Sequence, residues 1–237
     1  LANGLTITDV EKRQGLLKDL DTTFSSIEKD NQLLDGLDKF SRQAYSMITS
    51  KKAREAFDIG KEPAARSETY GESPFGQSCL LATRLVESGV RFVTVSTGGW
   101  DTHRDNFSKL KDKLLPPFDQ AVAAMLGDLE QRGLLERTAV FVTGEFGRTP
   151  KINKTVGRDH YPRAGNVLLA GAGVKGGVVI GATDPNGAAP LTRPWSPADF
   201  GASIYHALGI DSETTYFPRL PRPTKIAEGQ VIDGLFA

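Results

Sequence analysis

Val90-Arg91-Phe92-Val93-Thr94-Val95-Ser96-Thr97-Gly98-Gly99-Trp100-Asp101-Thr102-His103 reads in two halves. Its first six residues have the β-branched and aromatic composition of a buried strand. The second half sets two glycines, an aspartate and a histidine at that strand's carboxyl end, where open α/β sheets bind their ligands. Upstream, Leu80, Leu81, Leu85 and Val86 mark a helix that Gly89 stops. Downstream, Leu110, Leu114, Phe118, Val122, Met125 and Leu129 share one helical stripe, with Pro116-Pro117 kinking or restarting it and Gly133 closing it. Thr138-Ala139-Val140-Phe141-Val142 then predicts another buried strand. Strand, helix and strand in succession imply a right-handed crossover and parallel neighbours, hence an α/β fold. Asn166–Ala170 and Gly177–Ile180 predict two further short strands, and Ser196-Pro197-Ala198-Asp199 opens a final helix to about Leu208. The rest of the tail is Pro-rich.

Ahead of this region, Thr8-Asp9-Val10-Glu11 reads as a capping box. Val10, Leu16, Leu17, Leu20, Phe24 and Ile27 continue at helical spacing, and Leu37, Phe40, Ala44, Met47 and Ile48 suggest a second helix. Residues 1–60 are therefore expected to form a helical hairpin, with Gly60–Pro74 as a surface connection. The chain opens on Leu1 and enters a helical pattern almost at once, the look of a fragment or a processed form. At 237 residues one domain is the default.

Lys+Arg and Asp+Glu both number 29, so no general field favours nucleic acid or an anionic membrane. Any anion site must be local. The single Cys79 excludes an internal disulfide and a multi-cysteine zinc site. No apolar run approaches the roughly 20 residues that span a bilayer, so membrane insertion is not expected. Neither a Gly-x-Ser-x-Gly elbow nor a Walker loop is present.

Two more clusters carry chemistry. Gly144-Glu145-Phe146-Gly147-Arg148-Thr149-Pro150 follows the 138–142 strand, and Gly157-Arg158-Asp159-His160-Tyr161-Pro162 lies in the loop before Asn166. All three clusters are expected to face one crevice. Asp101, His103, Glu145, Asp159 and His160 are the candidate metal ligands: carboxylates and neutral imidazoles suit zinc, manganese, magnesium or calcium. Two such ions about 4 Å apart clamp an in-line displacement at phosphorus or sulfur. Arg148, Arg158 and Arg163 are the candidates to hold the tetrahedral oxyanion by charge-assisted forks. The plainer readings are a surface histidine for His103, a helix-start carboxylate for Glu145 and a Glu145 partner for Arg148. His206, inside a helical pattern, reads as structural. Trp100 either stacks on a substrate ring or packs beside the strand. Gly171–Gly176 reads as a glycine-rich hairpin, since the segment after it lacks the helix a dinucleotide loop requires.

The run of motifs from Tyr70-Gly71 and Gly89–Val93 through Gly99–His103, Gly144–Pro150, Gly157–His160, Gly181–Asp184 and Ile204–Gly209 resembles the bacterial family called domain of unknown function 1501. The likeness covers nearly the whole chain. It implies membership of the alkaline phosphatase, sulfatase and phosphoglycerate mutase superfamily: a three-layer α/β/α domain with a mixed, mainly parallel central sheet and two metal ions. It also implies export, commonly by the twin-arginine route, and an upstream strand with a further aspartate. The chain departs from the superfamily in two ways. Glu145-Phe146 stands where an Asp-His pair is usual, and no side-chain nucleophile is identifiable. The expected activity is metal-dependent hydrolysis of phosphate or sulfate monoesters of small molecules or glycans. The alternative is an exported binding or surface-associated protein without turnover.

Overall fold

The computed structural model describes residues 6–13, 15, 39–41, 43, 50–216 and 223–236. Two compact units form, Leu1–Pro63 with Arg84–Val93 and Ala64–Thr83 with Thr94–Ala237. In the first, residues 7–13 are helical. Their capping box lies two residues earlier than expected: the Asp9 amide donates to Thr6 Oγ1 at 3.2 Å, and Asp9 Oδ2 accepts from the Thr6 amide at 2.9 Å. Thr6-x-x-Asp9 and Thr8-x-x-Glu11 share one spacing, so spacing alone does not choose between them. The expected second helix of the hairpin lies almost wholly outside the described residues. Helix α1 (Lys51–Phe57) starts on Ser50, whose hydroxyl accepts from the Ala53 amide. Its carbonyl end is capped by Arg84, which donates through Nε to Ala56 O at 2.9 Å and pairs with Glu62.

In the second unit, the expected surface connection instead holds α2 (Ala64–Tyr70), ending on a fully buried Tyr70. Helix α3 (Pro74–Glu87) starts here. Helix α4 (Asn106–Lys109) runs through a π-helical turn, Leu110–Leu114, into α5 (Leu115–Gln131), whose first turn carries Pro116-Pro117. Tyr70, Cys79, Leu80 and Ala121 form a buried core against which Phe75, Val95, Ala124 and Met125 pack. The Phe118 ring stacks on Phe75 and meets Trp100 edge-on, which assigns Trp100 to packing. Asp128 ties the helices together, accepting from Arg66 Nη2 at 2.6 Å, Tyr70 Oη at 2.7 Å and Arg132 Nε at 2.7 Å. Burial alone would raise the Asp128 carboxyl; hydrogen bonds from Arg132, Tyr70 and Arg66 outweigh it and keep the group ionised. Burial pushes the Cys79 thiol up to about 11, which removes it as a nucleophile near neutral pH.

The three-layer α/β/α architecture with a mainly parallel sheet does not form. The described residues are helix-rich and carry three two-stranded antiparallel sheets: β1 (Val140–Thr143) with β4 (Val167–Ala170), β2 (Gly147–Arg148) with β3 (His160–Tyr161), and β5 (Thr215–Tyr216) with β6 (Thr224–Lys225). Among the described residues, 90–95 pair with nothing in a ladder, and Phe92 is 78% exposed. Without that strand there is no crossover. The expected strands at 138–142 and 166–170 do form, but Val140 faces Ala170 and Thr143 faces Val167, because residues 144–166 turn back as one long hairpin with β2–β3 nested inside it. Gly177–Ile180 forms no strand, and Val179 is 93% exposed. The preceding turn, with positive φ at Gly171, Ala172 and Gly173, leads instead to a bridge between Val174 and Phe236. Helix α6 (Pro197–Ala207) begins at Ser196 with a complete capping box to Asp199. Hydrogen bonds from the Gln230 and Ser196 amides, with the Ser196 hydroxyl, hold the Asp199 carboxyl down to about 2. Among the described residues no helix is long and apolar enough to cross a membrane.

Candidate metal centre

The nested hairpin builds the site. Antiparallel pairing sets Arg148 on β2 opposite His160 on β3, so two candidate residues well separated in sequence come to one place. The 101–106 segment is then held against the β2–β3 connection by its own backbone. The Arg158 amide donates to Thr102 O at 3.2 Å, Asp105 N to Thr155 O at 3.1 Å and Asn106 N to Val156 O at 3.0 Å. Gly157 is required at this crossing: a Cβ there would stand 1.9 Å from His103 O and 2.1 Å from His103 C. Asp105 and Val156 sit in the left-handed region at φ 52° and 57°, a strained conformation for a β-branched valine and of a kind that gathers at functional sites. Thr102 and Asn106 are buried beneath the crossing and joined by a hydrogen bond.

Three side chains converge. Asp101 Oδ1 lies 2.9 Å from His160 Nε2 and 3.0 Å from His103 Nε2, and the two Nε2 atoms are 3.2 Å apart. With ligand bonds of about 2.0–2.2 Å, neighbouring donors should be about 2.9 Å apart at right angles and about 3.4 Å apart in a tetrahedron. The observed triangle falls in that range. Asp101, His103 and His160 form the one three-donor cluster of this kind among the described residues. Their side chains are 62, 42 and 49% exposed, so the far side of the triangle opens to solvent. Three protein ligands and an open position are the arrangement of reactive metal sites, whereas structural sites close the sphere.

The other candidate residues take different places. Asp159 lies outside the triangle: its Oδ1 meets the opposite ring nitrogen, His103 Nδ1, at 2.7 Å. A carboxylate can only accept there, so Nδ1 donates to Asp159 and Nε2 is the ring atom that faces Asp101 and His160. Hydrogen bonds from His103, then Asn153, hold the Asp159 carboxyl below its ordinary range. Hydrogen bonds from His160 and then Arg148 hold Asp101 at about 2. Both are ionised at neutral pH. Arg148 Nη2 lies 2.7 Å from Asp101 Oδ1, and its guanidinium lies over the Phe146 ring, which also packs on His160. Glu145 is exposed and outside the triangle. The Arg158 guanidinium lies over the Phe107 ring with its Nε buried and unbonded, and the residue meets Arg148 only through its carbonyl. Arg163 is exposed. His206 is also exposed, with its ring against Phe236. Asn153, which the motifs did not single out, contacts both His103 and Asp159. Its signal is the turn composition of Asn153-Lys154-Thr155-Val156-Gly157.

This geometry defines a protein with a solvent-open, two-histidine, one-carboxylate cluster at the mouth of a hairpin. The chain belongs to the family described as Protein of unknown function (DUF1501), which it matches over residues 1–236. No curated protein and no solved structure matches it.

Proposed function

We propose that the chain is a metal-dependent hydrolase of phosphate or sulfate monoesters, with one divalent ion held by Asp101, His103 and His160. The observation that carries this reading is the triangle of Oδ1 and two Nε2 atoms with its far side open. Two imidazoles favour a transition ion such as zinc or manganese over magnesium or calcium. When bound, such an ion activates a water and polarises the ester oxygen, so no side-chain nucleophile is required. Arg148, beside the triangle, would steady the oxyanion. Hairpin residues 147–163 carry Arg148, Lys151, Lys154, Arg158 and Arg163 against Asp159 alone, a local cationic field in a chain of zero net charge. That field draws an anionic ester towards the metal. The kinship with alkaline phosphatases and sulfatases, and export with it, rest on the motifs and belong to this same proposal.

A second reading, binding without turnover, is favoured by the small ligand set: with Glu145 exposed and Asp159 on the outer nitrogen, the described residues assemble no two-ion clamp. Turnover of an aryl phosphate and an aryl sulfate with added zinc or manganese separates the two. Metal-dependent turnover is expected, abolished by a chelator. Its kcat/KM should fall roughly tenfold from low to physiological salt as the cationic hairpin is screened. Bound metal with no turnover of either ester would establish the second reading.

A further inference from the structure

Asn153 is the most heavily bonded polar side chain of the hairpin connection, and the metal triangle does not use it. Its Nδ2 donates to His103 O at 3.0 Å and to Asp159 Oδ1 at 3.1 Å. Its Oδ1 accepts from the Thr155 amide at 3.0 Å, the Thr155 hydroxyl at 2.9 Å and the Gly157 amide at 2.9 Å. The donor end therefore faces the metal side, and the acceptor end folds its own loop. Asp159 is held along its backbone by Thr149, whose amide donates to Asp159 O at 2.9 Å and whose hydroxyl accepts from Asp159 N at 3.0 Å. Thr149 leaves the carboxylate free to turn about its side-chain bonds. Besides His103 itself, Asn153 is the group that meets Asp159 Oδ1.

From this we infer that Asn153 is a positioning residue: it fixes the Asp159 carboxylate against the main chain of His103, so that the His103 ring is held with Nδ1 bonded to Asp159 and Nε2 turned towards Asp101 and His160. The inference rests on the metal reading for its consequence, though not for its geometry. Only an amide meets the requirement. The site needs two donors on one side and an acceptor on the other, which asparagine supplies and an aspartate of the same shape does not.

Asn153→Asp separates positioning from folding. It keeps the three acceptor contacts that shape the loop, and it turns both contacts to His103 O and Asp159 into acceptor against acceptor. Two measurements are made on wild type and variant: the signal of the hydrogen-bonded His103 Nδ1–H in metal-free protein, and Co2+ affinity with its ligand-field spectrum. Wild type should show a downfield Nδ1–H protected from exchange by its bond to Asp159. The variant should keep a near-native melting curve, lose that protected signal and bind Co2+ about 10- to 100-fold more weakly, the usual cost of losing an outer-sphere partner. An unchanged Nδ1–H signal in the variant would overturn the inference. If wild type binds no Co2+, the metal reading fails, and the Nδ1–H signal still decides on Asn153. Should the aspartate variant not fold, Asn153→Ser, too short to reach both His103 O and Asp159, is read in the same way.

Discussion

His160→Ala should weaken Zn2+ or Co2+ binding by at least about 100-fold, since losing an outer-sphere partner already costs 10- to 100-fold and His160 supplies one corner of the triangle itself. Among the described residues nothing nearby replaces it. Glu145 is exposed outside the cluster, and Asp159 is engaged on the far nitrogen of His103. The substitution should leave stability within about 0.5 kcal/mol, because the ring is half-exposed. His206→Ala provides the control. That histidine also sits in the second unit and also touches an aromatic ring, Phe236, yet it is not part of the cluster and its loss should leave metal affinity unchanged. Equal losses in the two variants, read by calorimetric titration, would mean that histidine content rather than this geometry governs binding.

Gly157→Ala should be strongly destabilising and should open the site. The added Cβ would stand 1.9 Å from one backbone atom of His103 and 2.1 Å from another, and backbone, unlike a flexible side chain, cannot swing aside. The hairpin connection must then lift away, at the cost of the Arg158–Thr102 amide bond and the Asn153 and Thr155 bonds to His103 O. Overpacking of this kind costs about 1–3 kcal/mol, and with the crossing opened the expected loss is at the upper end, accompanied by loss of metal binding. Gly127→Ala is the matched control. It lies within α5 with nothing within 4 Å of the new Cβ, and alanine there should stabilise by about 0.5–1 kcal/mol. Urea midpoints of the two variants moving in opposite directions would support this account of the crossing.

Residue chemistry marked the helix ends and the reactive side chains better than it marked the sheet. Gly89, Gly133, Pro116-Pro117 and the Ser196–Asp199 box each act within one turn of themselves, so their reading needs no knowledge of the rest of the chain. Residues 90–95 have strand composition, but composition states only that a segment fits a pleated surface; whether a neighbour exists is a long-range fact. Likewise 138–142 and 166–170 are legible as strands, which form at 140–143 and 167–170, whereas their antiparallel pairing follows from how residues 144–166 turn back. Asp101, His103 and His160 were legible as candidates, although the strand thought to deliver the first two is absent. What delivers them is the clamp of amides around Gly157. Asp159 carries the same ligand chemistry as Asp101, and no spacing rule reveals that it would meet the outer nitrogen of His103. Asn153 was silent because an asparagine two residues before a threonine reads as turn composition and nothing more.

The central claim is that Asp101, His103 and His160 together hold one divalent ion. Calorimetric titration of the metal-free protein with Zn2+, alongside the His103→Ala/His160→Ala double variant, tests it most directly. One ion per chain for wild type and none for the double variant is the result this structure predicts; equal binding by both proteins, or no binding by wild type, would contradict it.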